Sequence, residues 1–309
     1  MDFGLHLPLM SFQGEGISRD RVRDAVRAAD GAGFAAVSSN DHFLFATPWL
    51  DGPTALASVI DESGRMELAT TIALAVLRGP VPLAKALAAI DLLSDGRLIA
   101  GVGPGSSQLD YDALGVPFQE RWARLDEVIR MLRSLLAGDG PEAGRFHPAP
   151  AQSLAPRPVR QGGVPIWVGS WGSPAGLRRV ARLADGWIAS AYNTSSERFA
   201  EGRALLGEEL RAVGREPEGF PNALATMWTW VTEDAAEAER MRDELLAPLL
   251  RRDAGQLRGQ VCVGPAAECA QILSAYAEAG CERVYFWALG EEPRQVELLA
   301  EEVFPQVTG

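Results

Sequence analysis

Short apolar runs alternate with amphipathic stretches along the whole chain, and this alternation limits the fold more than any other feature of the sequence. The runs with strand character are residues 3–8, 34–39, 67–74, 97–102, 164–169, 186–191, 223–231 and 283–288. Several of them are apolar at every position, which is typical of strands that are covered on both faces. Strands that alternate with helices in this way favour a parallel sheet.

The stretches between these runs carry apolar residues at helical spacing. Positions 22, 25, 26 and 29 form one apolar face, which predicts a helix capped by the Ser18 hydroxyl. Pro82 can start a second helix, with its apolar face at positions 83, 86, 87 and 90. A third apolar face comprises positions 125, 128, 129, 132 and 136.

Eight strand–helix units suit a closed (β/α)8 TIM barrel better than an open doubly wound sheet. We therefore predict one domain over residues 1–309, closed by strand 283–288 and a helix around 292–303. The Pro-rich stretch 138–163, which includes Pro141, is predicted to be a rim excursion between the fourth helix and the fifth strand. A linker is the alternative, but strand–helix alternation resumes directly after this stretch.

Charge and cysteine content exclude several classes of protein. The 29 basic and 41 acidic residues give a net charge of −12. Nucleic acid binding needs a basic surface, so a nucleic-acid-binding protein is not expected.

The N-terminus lacks the basic and apolar regions of a secretory signal, and no stretch is long and apolar enough to span a membrane. Three cysteines without a Cys-x-x-Cys pair indicate reduced, buried thiols, and three scattered histidines do not suggest a metal site. The expected location is the cytoplasm.

In barrels of this kind the active site lies at the carboxyl ends of the strands, so the residues after each run are the candidates. Asp41 and His42 follow the second run. A histidine can exchange a proton near neutral pH, and a neighbouring carboxylate can fix its tautomer. We therefore predict that His42 is catalytic and is held by Asp41. The alternative is structural: Asp41 caps a turn and His42 satisfies a loop carbonyl.

Two turns rich in Gly and Ser follow the fourth and fifth runs, at Gly101–Ser107 and Gly169–Ser173. The first has the spacing G-x-G-x-G with Pro104 inside it, which does not fit a dinucleotide-binding fingerprint. Ser173 is suited to cap a helix that begins at Pro174, and a helix N-terminus attracts anions. Each turn alone is also explained as an ordinary strand–helix connection, but the pair predicts a shared phosphate pocket.

Aromatic residues are concentrated near the same rim. A flat, apolar ligand would contact some of them, and the others would serve only in packing. The predicted walls of an apolar substrate pocket are Phe43, Phe45, Trp49, Trp228 and Trp230.

Several segments together resemble the luciferase-like monooxygenase superfamily. They are Phe3–Pro8, Asn40–His42, Leu68–Ile72, Arg78–Pro80, Leu83–Lys85, Asp91–Arg97, Gly101–Ser106, Ala113–Phe118 with Arg121 and Glu127, Val164–Gly169 and Leu183–Trp187. Each motif is short, but their order and spacing cover nearly the whole chain. The resemblance implies a (β/α)8 fold that binds reduced FMN or the deazaflavin coenzyme F-420 at the carboxyl ends of the strands.

The resemblance also implies positions for the cofactor. Its phosphate would lie between two turns, of which the candidate residues are Gly103, Gly105, Ser106, Ser107, Gly169, Ser170, Trp171, Gly172 and Ser173. Its ring would rest on Thr70, Thr71 and Ile72, where members of the family often have a cis peptide bond that does not involve proline.

The resemblance leaves the choice of cofactor open. Asp41-His42 and Gly103-Pro104-Gly105 are similar to segments of deazaflavin enzymes, which transfer a hydride to a small organic molecule. Bacterial luciferase has an Arg for the FMN phosphate near the position of Pro104, and family members that oxidise sugar phosphates have a Glu where this chain has Ser106. The polyglutamate tail of F-420 is anionic, so in an acidic protein it needs nearby arginines, for which the candidates are Arg78, Arg121 and Arg124.

We therefore expect an F-420-dependent oxidoreductase that transfers a hydride to a small organic substrate. The alternatives are a reduced-FMN-dependent monooxygenase that uses dioxygen and a barrel that binds a flavin without catalysis. The expected partners are a small-molecule substrate, a separate flavin or F-420 reductase and a second copy of the chain in a homodimer, since relatives often form dimers. Neither nucleic acid nor a membrane is expected as a partner.

Overall fold

The strands are parallel and form a closed ring, because each strand–helix unit returns the chain to the same end of the sheet. The computed structural model describes residues 1–140 and 143–308. Within these ranges the strands are β1 (Asp2–His6), β2 (Ala36–Ser39), β3 (Glu67–Thr70), β4 (Ala73–Leu74), β5 (Leu98–Gly103), β6 (Ile166–Gly169), β7 (Gly186–Ser190), β8 (Asn222–Val231), β9 (Cys262–Gly264) and β10 (Arg283–Ala288).

Strand pairing defines a TIM barrel. The ring runs β1, β2, β3, β5, β6, β7, β8 and β10, and β10 pairs with both β8 and β1 to close it. The two-residue strand β4 pairs with β5 and continues the third strand position. The three-residue strand β9 lies off this ring and pairs with the end of β8. The predicted (β/α)8 fold is therefore confirmed.

All eight predicted strands are present, with two differences in detail. The run 67–74 is divided into β3 and β4 at Thr71 and Ile72, which are joined by the cis peptide bond that the resemblance implied. Strand β9 was not predicted, because three residues are too few to show a periodicity.

The helices pack around the ring, and most follow a strand. They are α1 (Arg19–Gly31), α2 (Gly52–Ala57), α3 (Ala75–Arg78), α4 (Pro80–Leu93), α5 (Gln108–Ala113), α6 (Arg121–Ala137), α7 (Pro174–Leu183), α8 (Ser196–Ala212), α9 (Ala235–Arg240), α10 (Ala247–Leu250), α11 (Ala254–Leu257), α12 (Ala266–Glu278) and α13 (Glu292–Leu298). Short 3-10 segments lie at 118–120, 191–193 and 304–306, and π-helical segments lie at 241–246 and 299–303.

The local sequence explains where several helices begin. The Ser18 hydroxyl accepts a hydrogen bond from the backbone N–H of Arg21 and caps α1, as predicted. Helix α4 begins at Pro80, two residues before the predicted start at Pro82, because Gly79 supplies the positive φ of 71° that precedes it.

The buried apolar residues form two groups. The larger group fills the space between the strands and the surrounding helices. The smaller one fills the barrel interior and comprises Ala36, Ala69, Ile99, Trp167, Ile188, Ala223, Ala225 and Tyr285. Small residues leave room for the large rings: a Cβ on Gly4 would lie 2.5 Å from the Tyr285 ring. The interior below the carboxyl ends of the strands is therefore a packed core rather than a channel.

The Pro-rich excursion leaves α6 at Gly138 and lies against α4 and α6 before β6 begins. The Glu127 carboxylate of α6 accepts hydrogen bonds from the backbone N–H groups of residues 145–147 and from His147 Nδ1. Further along, the backbone N–H of Val159 donates to Asp91 of α4. Pro141 lies outside the described residues. The half-buried carboxylate of Glu127 and the buried carboxylate of Asp91 thus hold the excursion against the helices.

No helix within residues 1–140 and 143–308 is both long and apolar enough to cross a membrane. Cys262, Cys269 and Cys281 are free thiols and are buried, as predicted.

We predict that Glu127→Gln lowers the free energy of unfolding by about 1–2 kcal/mol at neutral pH, because the variant loses a charge-assisted set of hydrogen bonds. Burial raises the pKa of the Glu127 carboxyl, but the hydrogen bonds from His147 and the backbone N–H groups outweigh burial, so the pKa is lowered overall. This stabilisation is present above the unfolded-state pKa and is lost as the pH falls through the lower folded-state pKa.

Urea denaturation of both proteins at pH 7 and at about pH 3.5 measures the effect. The stability difference should shrink at the lower pH. The exposed Glu201 on α8, changed to Gln, is the matched control and should show no such difference. Equal stability of wild type and Glu127→Gln at neutral pH would contradict the prediction.

Candidate functional site

A cavity of about 580 Å³ opens at the carboxyl ends of the strands, where the fold predicts the site. Its walls come from the segments after β2, β3, β5, β6 and β7, together with residues of β7 and β8. The predicted site residues that line it are Asp41, His42, Thr71, Ile72, Gly103, Gly105, Ser106, Gly169, Ser170, Trp171 and Ser173.

Three predicted cofactor residues are not part of this wall. The Thr70 hydroxyl donates a 2.7 Å hydrogen bond to the Gly101 carbonyl between two strands. Ser107 caps α5, where its hydroxyl accepts from the backbone N–H of Asp110. The backbone N–H of Gly172 donates to the Ser170 hydroxyl inside the turn. These residues therefore shape the walls instead of lining the cavity.

A buried carboxylate holds His42 at one edge of the cavity, but it is not the predicted one. His42 Nδ1 donates to Asp110 Oδ2 at 2.9 Å, and the other Asp110 oxygen accepts from the backbone N–H groups of Phe43 and Leu44. Asp110 is 1% exposed. The prediction that Asp41 holds His42 is therefore wrong, since Asp110 on α5 has that contact.

Asp41 has a different role. Its carboxylate accepts two hydrogen bonds from the Arg78 guanidinium, at 2.6 and 2.7 Å, and one from the backbone N–H of Leu74 in β4. Arg78 also pairs with Asp51, which caps α2. Burial lowers the pKa of Arg78, but the bonds to the two carboxylates outweigh burial and raise it. Asp41 thus ties the loop after β2 to the third strand position.

The turns after β5 and β6 form one polar end of the cavity. Ser106, Ser170 and Ser173 line it, together with Ala175 and Gly176 in the first turn of α7. The Ser173 hydroxyl accepts from the backbone N–H of Gly176 and caps α7, as predicted. Serine hydroxyls beside the N-terminus of a ten-residue helix suit a phosphate group.

The middle of the cavity combines an apolar surface with orphaned polar atoms. Ile72, Leu74, Ile188 and Ala189 provide apolar wall. Asn40 Oδ1 and Thr71 Oγ1 are buried and have no hydrogen-bond partner among the described residues. Buried polar atoms are normally paired, so these two indicate a ligand with polar atoms on its edge. A ligand with a flat ring, a polar ring edge and a chain that carries a phosphate fits these walls. FMN and F-420 both have these three features.

The cavity also contains residues that the sequence interpretation missed or only partly identified. Phe118, Arg121, Trp122 and Arg179 line it. Arg121 was one of three arginines proposed as candidates, whereas the other two, Arg78 and Arg124, are engaged by Asp41 and Glu120. Arg179 and Trp122 are separated by 57 positions and carry no motif, so only the packing of α6 on α7 brings them together.

The predicted substrate residues lie outside the cavity wall, and three of them form a cluster beside it. Phe45 and Trp49 contact the His42 ring at centroid distances of 4.8 and 4.7 Å, and Trp49 contacts Trp287, which stacks on Trp228. Trp230 is buried elsewhere in the core, and Phe43 lies at the surface over Arg78. As substrate contacts, all five stay predictions.

His6 supports the site from below. It is fully buried on β1, its Nδ1 donates to the Leu7 carbonyl, and its Nε2 accepts from the backbone N–H of Asn40. Burial lowers its pKa to about 3, in spite of these hydrogen bonds. His6 is therefore neutral at physiological pH and fixes the start of the loop that carries His42.

Comparison with known proteins shows the same architecture and related sequences. The profile of the luciferase-like monooxygenase family matches residues 1–283. An F-420-dependent glucose-6-phosphate dehydrogenase of Amycolatopsis mediterranei is 28% identical over 94% of each chain.

Two solved structures are similar in fold. An F-420-dependent secondary alcohol dehydrogenase in complex with an F-420–acetone adduct superimposes with a TM-score of 0.85 at 18% identity, covering 100% of this chain and 99% of its own. The oxygenating constituent of 3,6-diketocamphane monooxygenase from Pseudomonas putida, in complex with FMN, gives a TM-score of 0.77 at 16% identity with the same coverage.

The contact between Asp110 and His42 predicts that His42 carries its proton on Nδ1 in the neutral form. NMR of protein with ¹⁵N-labelled histidine distinguishes the two tautomers. Wild type should show Nδ1–H, and Asp110→Ala should show a mixture of tautomers. Asp112→Ala, an exposed position on the same helix, is the matched control. An unchanged His42 spectrum in Asp110→Ala would show that the carboxylate does not fix the tautomer.

Proposed function

The chain belongs to the luciferase-like monooxygenase family of oxidoreductases, and from that premise we propose that it uses coenzyme F-420 to transfer a hydride to a small organic acceptor. The observation that carries this proposal is His42, held through one nitrogen by a buried carboxylate at the edge of a cavity suited to the cofactor. Reduction of a carbonyl or imine requires a proton as well as a hydride, and a histidine can supply it.

The walls of the cavity suggest how the chain would hold the cofactor. Ser106, Ser170, Ser173 and the first turn of α7 would bind the phosphate. Thr71 and Ile72 would support the ring, with Asn40 Oδ1 and Thr71 Oγ1 available to its polar edge. When bound in its reduced form, F-420 supplies the hydride.

His42 would move the proton that accompanies this hydride. Since Asp110 holds Nδ1–H, the exchangeable proton is the one on Nε2. In the reductive direction the imidazolium gives this proton to the oxygen or nitrogen of the acceptor, and in the oxidative direction the neutral imidazole takes it back. Asp110 stabilises the positive charge that the ring carries in between.

The substrate is proposed to be uncharged and largely apolar. Phe45, Trp49, Trp228 and Trp287 form a cluster beside the cavity, next to His42, and would contact a substrate that binds there. Aromatic walls of this kind favour a neutral molecule with a flat or hydrophobic body. A sugar phosphate, the substrate of the Amycolatopsis relative, is not proposed for this chain. Family members that oxidise sugar phosphates are expected to have a glutamate at the position of Ser106.

A reduced-FMN-dependent monooxygenase is the second candidate. The observation that favours it is the serine-rich end of the cavity, which would accept the phosphate of FMN as well as that of F-420. Such an enzyme would receive reduced FMN from a separate reductase and would consume dioxygen. A barrel that binds the cofactor without turnover is the third. For any of the three, the buried free thiols suit the reducing conditions of the cytoplasm.

We predict that His42→Ala lowers kcat for oxidation of reduced F-420 by roughly 100-fold or more, because the proton donor is lost. The assay follows F-420 absorbance without oxygen, with a panel of ketones, aldehydes, imines and activated alkenes as acceptors. His147→Ala, the same change outside the cavity, is the control. Full turnover by His42→Ala would refute the catalytic role.

This anaerobic assay and a second assay, which measures oxygen consumption with reduced FMN, together separate the three candidates. Substrate-dependent oxygen consumption with reduced FMN, and no anaerobic turnover with F-420, would support the monooxygenase. Binding of a cofactor without turnover of any acceptor or oxygen would support the non-catalytic barrel.

A further inference from the structure

We propose that Arg121 binds carboxylates of the anionic chain that extends beyond the phosphate of F-420, and that this contact selects F-420 over FMN. The proposal rests on the proposed function and identifies the part of the cofactor that the chain recognises. Four residues carry it and form what we term the arginine cluster: Phe118, Arg121, Trp122 and Arg179.

The guanidinium of Arg121 is held in place by its neighbours. It stacks over the Phe118 ring, with its central carbon 3.9 Å from the ring centroid, and its Nη1 donates a 3.0 Å hydrogen bond to the Phe118 carbonyl. The centroid of the Trp122 ring lies 5.4 Å from the central carbon of the Arg121 guanidinium and 4.8 Å from that of Arg179. Stacking on aromatic rings orders an arginine without neutralising it.

The arginine cluster is attached to the turn that would hold the phosphate. Tyr111 is completely buried, and its hydroxyl donates a 2.5 Å hydrogen bond to the Pro104 carbonyl in that turn. The Tyr111 ring meets the Phe118 ring edge-on, with the centroids 5.1 Å apart. Arg121 therefore has a fixed position relative to the Gly103–Ser106 turn, as a second anion contact on the same ligand requires.

The charge of Arg121 has no acidic partner within residues 1–140 and 143–308. No carboxylate of the described residues lies within 4 Å of its guanidinium, whereas Arg179 pairs with Asp126 and Arg124 pairs with Glu120. The chain carries a net charge of −12, so a cavity in it would repel an anionic ligand unless a cation faced that ligand. Among the described residues of the cavity wall, Arg121 is the arginine that remains available for this.

The chemistry of the two cofactors then gives the selectivity. FMN ends at its phosphate, whereas F-420 continues from its phosphate through a lactyl group into a chain of glutamates. A cation beyond the phosphate pocket therefore adds affinity for F-420 and none for FMN. Arginine forms paired hydrogen bonds with a carboxylate, which suits this contact.

The test is a fluorescence binding titration that requires no turnover. Wild type, Arg121→Gln and Arg124→Gln are each titrated with F-420 that carries several glutamates, F-420 trimmed to its lactyl group, and FMN. Arg124→Gln is the matched control, because Arg124 lies one helical turn away and already has a carboxylate partner. Each titration is repeated at about 20 mM and about 500 mM NaCl to screen charge contacts.

We expect wild type to bind the glutamylated form roughly three- to tenfold more tightly than the trimmed form at low salt, as one partly exposed ion pair allows. Arg121→Gln should lose this difference and bind the trimmed form and FMN as wild type does. Arg124→Gln should retain it, and high salt should reduce it.

Three results would overturn the proposal. Equal binding of glutamylated and trimmed F-420 by wild type would show that the tail is not recognised, while the proposed function stands. If Arg121→Gln weakened the binding of all three ligands equally, Arg121 would contact the phosphate and not the tail. Failure of wild type to bind either form of F-420, with tight binding of FMN, would overturn the proposed function as well.

Discussion

The pairing of β10 with both β8 and β1 is the constraint on which the rest of the structure depends. It closes the ring, so every strand ends at the same rim and contributes the residues that follow it to one site. The serine turns after β5 and β6, the His42 loop after β2 and the third strand position with its cis peptide bond meet only because of this closure. Segments separated by more than a hundred residues thereby form one cavity.

Buried carboxylates organise that site more than any other group. Asp110 holds the His42 loop through three hydrogen bonds, and Asp41 joins the same loop to β4 through the Leu74 N–H and to α3 through Arg78. Each carboxylate satisfies donors that would otherwise be buried and unpaired, which would be costly. Most arginines near the cavity are likewise paired, each with an acidic side chain. Arg121 differs from them, because no carboxylate in the described part of the chain pairs with it, and its charge is therefore available to the cofactor tail.

Much of the fold could be predicted from the sequence, because strand runs and helix caps are local features. Ser18 and Ser173 cap the helices that their neighbours indicate, and the eight apolar runs are the strands of the ring. The partner of His42 could not be predicted in this way. Asp41 is its neighbour in sequence, but Asp110 lies 68 positions away and meets it only through the packing of α5 against the loop.

The most direct test of the central claim is a titration of the purified wild-type protein with F-420 and with FMN, each in its oxidised and reduced form. The account predicts tight binding of F-420 and binding of FMN that is at least about tenfold weaker, a difference of about 1.4 kcal/mol. Tight binding of reduced FMN together with weak binding of F-420 would contradict the account and would favour oxygen chemistry in this cavity.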